Sequence, residues 1–89
     1  MRTIWKFPIP ISDRFELVVP DGYSVVHVGP DPQGHLSFWA DVDTDATRSP
    51  YVFSVVGTGN PAPKNGFHAG SFVDWPFVWH LFEIETEPF

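Results

Sequence analysis

A chain of 89 residues and 10.1 kDa is expected to form one domain over residues 1–89, which leaves no room for a second catalytic or regulatory domain. Hydrophobic residues make up 43% of the chain and charged residues 18%, a composition that excludes intrinsic disorder. The formal net charge of −6 disfavours direct nucleic-acid binding, and the absence of cysteine excludes disulfides and all cysteine-based metal or nucleophile sites.

The chain carries no pattern for export or membrane insertion. The segment Met1–Pro8 lacks the continuous apolar stretch and the small-residue cleavage site of a secretory signal. Pro, Asp or Gly interrupts every apolar run before it reaches the roughly 18 residues that a transmembrane helix requires. We therefore expect a cytoplasmic protein with no membrane partner.

Ten prolines and seven glycines divide the chain into short segments rich in Val, Ile, Phe, Trp and Tyr. These residue types favour strands, and no segment repeats apolar residues at helical spacing over the length of a globular helix. We predict an all-β domain, a single small antiparallel barrel or sandwich of about seven short strands. In chain order the strands are predicted at 3–9, 14–19, 23–28, 35–42, 51–56, 69–73 and 77–83.

The residues between these segments predict how the chain turns. Pro8-Ile9-Pro10 ends the first strand because proline donates no amide hydrogen bond. Pro20-Asp21-Gly22 predicts a tight turn, and Gly29–Gly34 predicts a longer hairpin loop before the fourth strand. The third segment, 23–28, is almost continuously apolar and is therefore predicted to be central or buried on both faces.

Because successive side chains of a strand point to opposite faces, the alternating pattern shows which residues share a face, but it does not show which face is buried. Trp39 is the one large apolar residue on the face of His35, Ser37 and Asp41. Residues 64–70 have no such pattern and predict an irregular loop or a turn of helix, while residues 84–89 predict a frayed tail. The sets that share a face are Trp5 and Phe7; Phe15, Leu17 and Val19; Leu36, Phe38, Ala40 and Val42; and Phe77, Trp79 and Leu81.

Asp41, Asp43 and Asp45 have the spacing that opens an EF-hand calcium loop. The rest of that loop is missing, since Ala46 stands where the turn needs glycine and Val52 where a bidentate glutamate should bind. A solvated acidic loop is expected, with a weak surface cation site as the alternative.

The loop Gly57-Thr58-Gly59-Asn60 is superficially similar to a phosphate-binding loop. Pro61 and Pro63 follow at once, so the helix that such a loop needs is absent from the pattern. A tight turn with a positive φ is expected. The alternative is a ligand-binding loop in which the backbone amides of Gly57, Thr58, Gly59 and Asn60 contact a small anion.

No catalytic residue is predicted, because no serine lies in a G-x-S-x-G motif and no nucleophile, base and acid can be ordered by spacing. The four histidines have no i, i+4 pair, so a zinc site would require the fold to bring them together with carboxylates. We predict no metal site, and we expect His80 to be a hydrogen-bonded structural histidine. The four are His27, His35, His68 and His80.

Aromatic residues make up 17% of the chain and include four tryptophans, more rings than a core of this size is expected to bury. Trp75 and Phe77, beside a predicted turn, and Trp39 are the candidates for a protein interface. An aromatic-rich core is the alternative explanation. Self-association through an edge strand is a further form of interface.

Six groups of motifs spread over residues 3–83 have an order and spacing that carry a resemblance. They are Thr3–Ile9; Val19–Gly22; Phe38–Ala40 with Val42-Asp43; Gly57–Pro61; Ala69–Phe72; and Trp79–Glu83. In these motifs the chain resembles a family of small proteins of unknown function found in bacteriophage genomes. The resemblance implies the cytoplasm of an infected bacterial host and supplies no catalytic residues.

The resemblance, the acidic charge and the aromatic content lead to one functional hypothesis. We expect a phage accessory protein that acts as a non-enzymatic interaction module and modulates or inhibits a host bacterial protein. One alternative is a protein that binds or sequesters a small molecule such as a nucleotide signal. Another is a minor virion or assembly protein. No cofactor is predicted.

Overall fold

The computed structural model describes residues 1–85, which form seven strands and two sheets. Sheet A has the order β1-β4-β3 and sheet B the order β2-β5-β7-β6, and all pairs are antiparallel. The all-β prediction is confirmed, and the two sheets form a sandwich. The strands are β1 (Arg2–Pro8), β2 (Phe15–Pro20), β3 (Ser24–Pro30), β4 (Leu36–Asp43), β5 (Arg48–Gly57), β6 (Gly66–Asp74) and β7 (Phe77–Ile84). Residues 1–85 contain no helix that is long and apolar enough to span a membrane.

The core lies between the two sheets and is centred on two phenylalanines. Phe38 of β4 and Phe53 of β5 are fully buried, and their ring centroids lie 5.4 Å apart. The predicted common faces of β1, β2 and β4 all point to this core. The other buried members of the cluster are Ile9, Val19, Val28, Ala40, Val42, Val55, Phe72 and Leu81.

The predicted turn after β2 carries the chain from sheet B to sheet A. Gly22 has a φ of 80°, which side-chain-bearing residues rarely adopt. The Tyr51 hydroxyl donates to Asp21 Oδ1 at 2.6 Å and thereby lowers the pKa of Asp21. The pKa of the Tyr23 hydroxyl is raised, mainly by burial and to a smaller extent by a hydrogen bond with Glu83. These polar groups fix the turn to β5 and β7.

The connection between β5 and β6 crosses the outer face of sheet B. Both strands are antiparallel to β7, which lies between them, so they run parallel and residues 58–65 must return along the sheet. Thr58 Oγ1 lies 2.9 Å from His80 Nε2 at one end of the connection. At the other end, a Cβ on Gly66 would lie 2.7 Å from Pro63 Cγ. The outer-face residues of β5 that are buried are Val52, Ser54 and Val56.

The prediction of an irregular loop or helical turn over residues 64–70 is wrong for residues 66–70. β6 begins at Gly66, which pairs with Ile84 of β7. The register shifts between His68 and Gly70, and this bulge breaks the alternating pattern by which a strand is recognised.

The predicted frayed tail is also wrong where the structure describes it. Ile84 pairs with Val52 on one side and Gly66 on the other, and the Glu85 amide donates to Asn65 O at 2.8 Å. Residues 86–89 of that predicted tail lie outside the described residues.

The third strand was predicted to be central or buried on both faces, and both alternatives are wrong, because β3 lies at the edge of sheet A, pairs only with β4 and exposes Val26. Its apolar character has a different cause. β3 lies against β6 of sheet B, where Val28 is buried and Gly70 faces it. A Cβ on Gly70 would lie 2.6 Å from Val28 Cγ2, so the absence of a side chain allows the two sheets to approach.

We expect Gly70→Ala to lower the free energy of unfolding by about 1–3 kcal/mol, because the added methyl group overpacks the contact with Val28. Urea denaturation measures the change. The exposed neighbour Ser71→Ala is the control, with little expected effect. Val28→Ala should relieve the clash, so that the double variant loses less than the sum of the single losses. Additive losses would contradict the proposed contact.

The loop between β3 and β4 is organised by one buried carboxylate, Asp31. Its Oδ1 accepts hydrogen bonds from the amides of Gln33 and His35 at 2.9 Å each, and Lys6 Nζ donates to Oδ2 at 3.0 Å. The pKa of Asp31 is lowered most by the hydrogen bond from the His35 backbone amide, and next by the hydrogen bond from the Lys6 side-chain ammonium. The ionised form is therefore the one that the folded state stabilises.

We expect Asp31→Asn to lower the free energy of unfolding at pH 7, since the amide cannot satisfy both the loop amides and the Lys6 ammonium. Because the pKa of Asp31 is lower in the folded state, its contribution is complete above the unfolded value of about 3.9 and is lost as the pH falls below that value. In chemical denaturation from pH 7 to pH 3, the free energies of unfolding of the wild type and of Asp31→Asn should approach each other as the pH falls. The exposed Asp74→Asn is the control, and a constant gap at all pH values would contradict the assignment.

Candidate binding surface at the loop end

One end of the sandwich, here called the loop end, brings four connections together. These are residues 9–14, residues 31–35, the start of the 58–65 crossing and the β6–β7 turn. Hydrogen bonds join them to neighbouring strands. Ile9 N donates to Leu36 O at 3.1 Å, Val55 N to Ser12 O at 2.9 Å, and Thr58 N to Val78 O at 3.1 Å.

The β6–β7 hairpin projects beyond the rest of sheet B at this end. The last pair between β5 and β7 is Gly57–Trp79, so Phe77 and Val78 have no β5 residue beside them. The tip turns at Trp75, whose side chain is 87% exposed. The hairpin tip, defined as residues 73–78, therefore presents its apolar side chains to solvent.

The exposed apolar surface continues from the hairpin tip to the β1–β2 connection. Val73 and Val78 form a cross-strand pair, and both are exposed. Ile11 is exposed as well, and it lines a small cavity of about 100 Å³ together with Val73 and Asp74. Because successive strand residues point to opposite faces, Val73 and Val78 project from one face of the hairpin and Phe77 from the other, so the tip exposes apolar side chains on both faces. Exposed apolar side chains grouped in this way are typical of an interaction surface.

An open cleft of about 880 Å³ lies beside the hairpin tip. Its floor is the end of β5, and its sides are the β1–β2 connection and the 58–65 crossing. Asp13 is the one charged residue among those that line the cleft. The polar lining residues are Ser12, Asp13, Ser54 and Asn60, and the apolar ones include Val55, Val56 and Trp79.

Trp79 joins the cleft to the core. The six-membered ring approaches Gly57, where a Cβ would lie 3.3 Å from Cζ3. Phe77 lies next to it, with ring centroids 5.5 Å apart. The buried Nε1–H group has no hydrogen-bond partner among residues 1–85, and burying such a donor is costly. Close packing of the indole at the base of the hairpin offsets this cost.

The loop Gly57–Asn60 forms the predicted tight turn. Gly59 has a φ of 90°, and Asn60 N donates to Gly57 O at 3.1 Å. Of the four backbone amides that could contact an anion, those of Thr58 and Asn60 therefore already donate hydrogen bonds within the protein. Gly57 and Asn60 line the cleft, so the loop forms part of the cleft wall and is poorly arranged to bind an anion through its backbone amides.

Trp39 lies away from the hairpin tip, on the outer face of sheet A. It is half-buried between its cross-strand neighbours Lys6 and His27, and its ring centroid lies 5.3 Å from that of His27. The three interface candidates therefore do not form one surface. Trp75 and Phe77 share the hairpin tip, and Trp39 belongs to a different face.

The three aspartates at 41, 43 and 45 bind cations of the chain itself. The Arg2 guanidinium pairs with Asp41, and the terminal amine of Met1 lies 3.2 Å from Asp43 Oδ1 and 2.9 Å from Asp45 Oδ2. These ion pairs give each of the three carboxylates a counter-charge from the chain itself. Within residues 1–85, no group of three or more His, Asp or Glu side chains is arranged to hold a metal ion.

Sequence reasoning missed Ile11, Val73 and Val78, and it missed the cleft. Val73 and Val78 were placed in strands, where valine is ordinarily half-buried, but the structure exposes both as a cross-strand pair near the end of the β6–β7 hairpin. The cleft is formed by residues far apart in sequence, such as Asp13, Ser54 and Pro61. No local pattern predicts their meeting.

Comparisons with known proteins give a family but no described activity. A search of curated proteins and a search of solved structures found no match. A domain of unknown function, DUF7352, matches residues 1–88. This match spans both sheets, the hairpin tip and the cleft, and the chain therefore belongs to the DUF7352 family of domains of unknown function.

Proposed function

We propose that this domain binds a bacterial host protein through the hairpin tip, and that it modulates or inhibits that protein in the cytoplasm of a phage-infected cell. The proposal is one of recognition without catalysis. The observation that carries it is the 87% exposure of Trp75 at the end of a hairpin that extends past its own sheet.

The chemistry of the hairpin tip supports this use. Tryptophan supplies a large contact area at little cost in conformational entropy, and it is over-represented among residues that dominate binding energy. Trp75 and Phe77 stand on a paired two-stranded scaffold, which holds them in position before a partner arrives. The core does not need Trp75 for packing, since its side chain is almost fully solvated.

The same surface indicates the partner's chemistry. An indole and a phenyl ring that project from a hairpin fit a concave apolar pocket. Asp74 lies in the tip and Asp13 lies in the adjoining cleft, and the whole chain carries a net charge of −6. Complementary charge would therefore place Lys or Arg around the partner's pocket and accelerate association at low salt.

We expect Trp75→Ala and Phe77→Ala each to weaken partner binding tenfold or more. Trp75→Ala should leave the melting temperature unchanged because its side chain is almost fully exposed, and Phe77→Ala should lower it only slightly through the lost contact with Trp79. Phe67→Ala is the matched control, since Phe67 is an exposed aromatic on β6 near the opposite end of the sandwich. Each tagged variant is used to recover partners from infected host lysate, and the affinity of any partner is then measured by calorimetry.

A host protein retained by wild type and Phe67→Ala but lost from Trp75→Ala would support the proposal. Equal retention by all variants would contradict the assigned surface. Recovery of no host protein, together with the presence of the domain in purified virions, would favour a minor virion or assembly role instead.

A second candidate function is small-molecule binding, and the cleft favours it. Its volume of about 880 Å³ lies within the range of ligand sites, and Trp79 offers an aromatic wall. Its lining contains Asp13 and neither Lys nor Arg, so a neutral or cationic ligand fits better than a nucleotide.

We expect ammonium-containing fragments to raise the melting temperature of the wild type, and nucleotides to leave it unchanged. Asp13→Asn should reduce the effect of the cationic fragments because it removes the one carboxylate from the cleft wall. A larger stabilisation by nucleotides than by cations would contradict this reading of the cleft and favour the sequestration of a nucleotide signal.

A further inference from the structure

A hydrogen-bonded chain of side chains lies on the outer face of sheet B, away from the core. His68 Nε2 lies 3.2 Å from His80 Nδ1, and His80 Nε2 lies 2.9 Å from Thr58 Oγ1. Thr58 Oγ1 lies 3.2 Å from the carbonyl oxygen of Val78. His68 and His80 have no spacing in the sequence that relates them, and it is the pairing of β6 and β7 that brings them together.

The bulge in β6 creates this juxtaposition. His68 pairs with Phe82, and Ser71 pairs with His80, so three steps along β6 correspond to two along β7. The extra residue turns His68 diagonally toward His80. The ring of Phe82 packs edge-on against His68 with a centroid distance of 5.4 Å, which limits the positions of the imidazole.

The direction of each hydrogen bond follows from the carbonyl at the end of the chain. A carbonyl oxygen can only accept, so the single proton of the Thr58 hydroxyl is donated to Val78 O. Thr58 Oγ1 then accepts from His80 Nε2–H, and His80 Nδ1 is left with its lone pair directed at His68. The donation from Thr58 to Val78 O therefore favours the His80 tautomer in which Nε2 carries the proton and Nδ1 is free to act as a ligand.

This arrangement has the features of a pair of metal ligands. Two Zn–N bonds of 2.0–2.1 Å at the tetrahedral angle place their nitrogens about 3.3 Å apart, close to the observed 3.2 Å. Ligating histidines ordinarily donate their second N–H to an oxygen acceptor, as His80 does to Thr58. His68 Nε2 already faces His80 Nδ1, so only a small reorientation of the exposed ring is needed to direct Nε2 at a shared ion.

We propose that His68 Nε2 and His80 Nδ1 together bind one divalent transition-metal ion such as Zn²⁺, with His68 in the neutral tautomer that carries its proton on Nδ1 and leaves the Nε2 lone pair for the ion. Imidazole nitrogen is a preferred ligand of Zn²⁺, Ni²⁺ and Cu²⁺. The net charge of −6 raises the local concentration of cations. No third His, Asp or Glu completes the set within the described residues, so water fills the other positions and the ion exchanges freely.

The test is a Zn²⁺ titration of the untagged protein, followed by NMR of the histidine ring nitrogens and by calorimetry. We expect saturable binding with one ion per chain and shifts of the His68 and His80 signals. His68→Gln should lower the affinity at least tenfold, and His35→Gln, which alters another exposed histidine, should leave it unchanged.

His68→Gln is the main variant because the exposed position tolerates the change without loss of the fold, which circular dichroism verifies. His80→Gln should give the same loss of Zn²⁺ affinity, with its fold verified in the same way. Equal shifts at all four histidines, or unchanged affinity in His68→Gln, would overturn the proposal and leave the pair as a hydrogen bond between the two strands.

Discussion

The position of β7 between β5 and β6 is the constraint on which the architecture of sheet B depends. Because β7 is antiparallel to both neighbours, β5 and β6 are parallel and their connection must cross a face of the sheet. The inner face is filled by sheet A, so residues 58–65 cross the outer face. That crossing buries Ser54 and Val56, forms one side of the cleft and brings Thr58 to His80.

A second constraint is the close approach of the two sheets along one pair of edges. Val28 of β3 lies against Gly70 of β6, and the two phenylalanines at 38 and 53 meet in the centre. The opposite edges, β1 and β2, remain separate, and Arg48 packs there over the Trp5 ring at 5.0 Å. The sandwich is therefore joined tightly on one side and through aromatic and cationic side chains on the other.

The fold class and most strand positions followed from local patterns, because alternation and Pro/Gly punctuation act over a few residues. β6 was predicted only from residue 69 onward, since its bulge at Ala69 interrupts the alternation, and β3 was misplaced because contact with another sheet also selects apolar residues. In the candidate surface, Trp75 and Phe77 were predicted from composition and a turn. The projection of the hairpin beyond β5 was not predicted, because it depends on which strands pair and where that pairing ends, and no local segment contains this information.

The unequal lengths of β5 and the β6–β7 hairpin have a consequence for motion. Val73, Asp74, Phe77 and Val78 each pair with one neighbouring strand, whereas Leu81 lies between two and is fully buried. Hydrogen exchange at the tip therefore requires only a local opening of small free energy, while exchange at Leu81 requires the whole core to open. The domain therefore combines a persistent interior with a hairpin end that can open locally and close again without global unfolding.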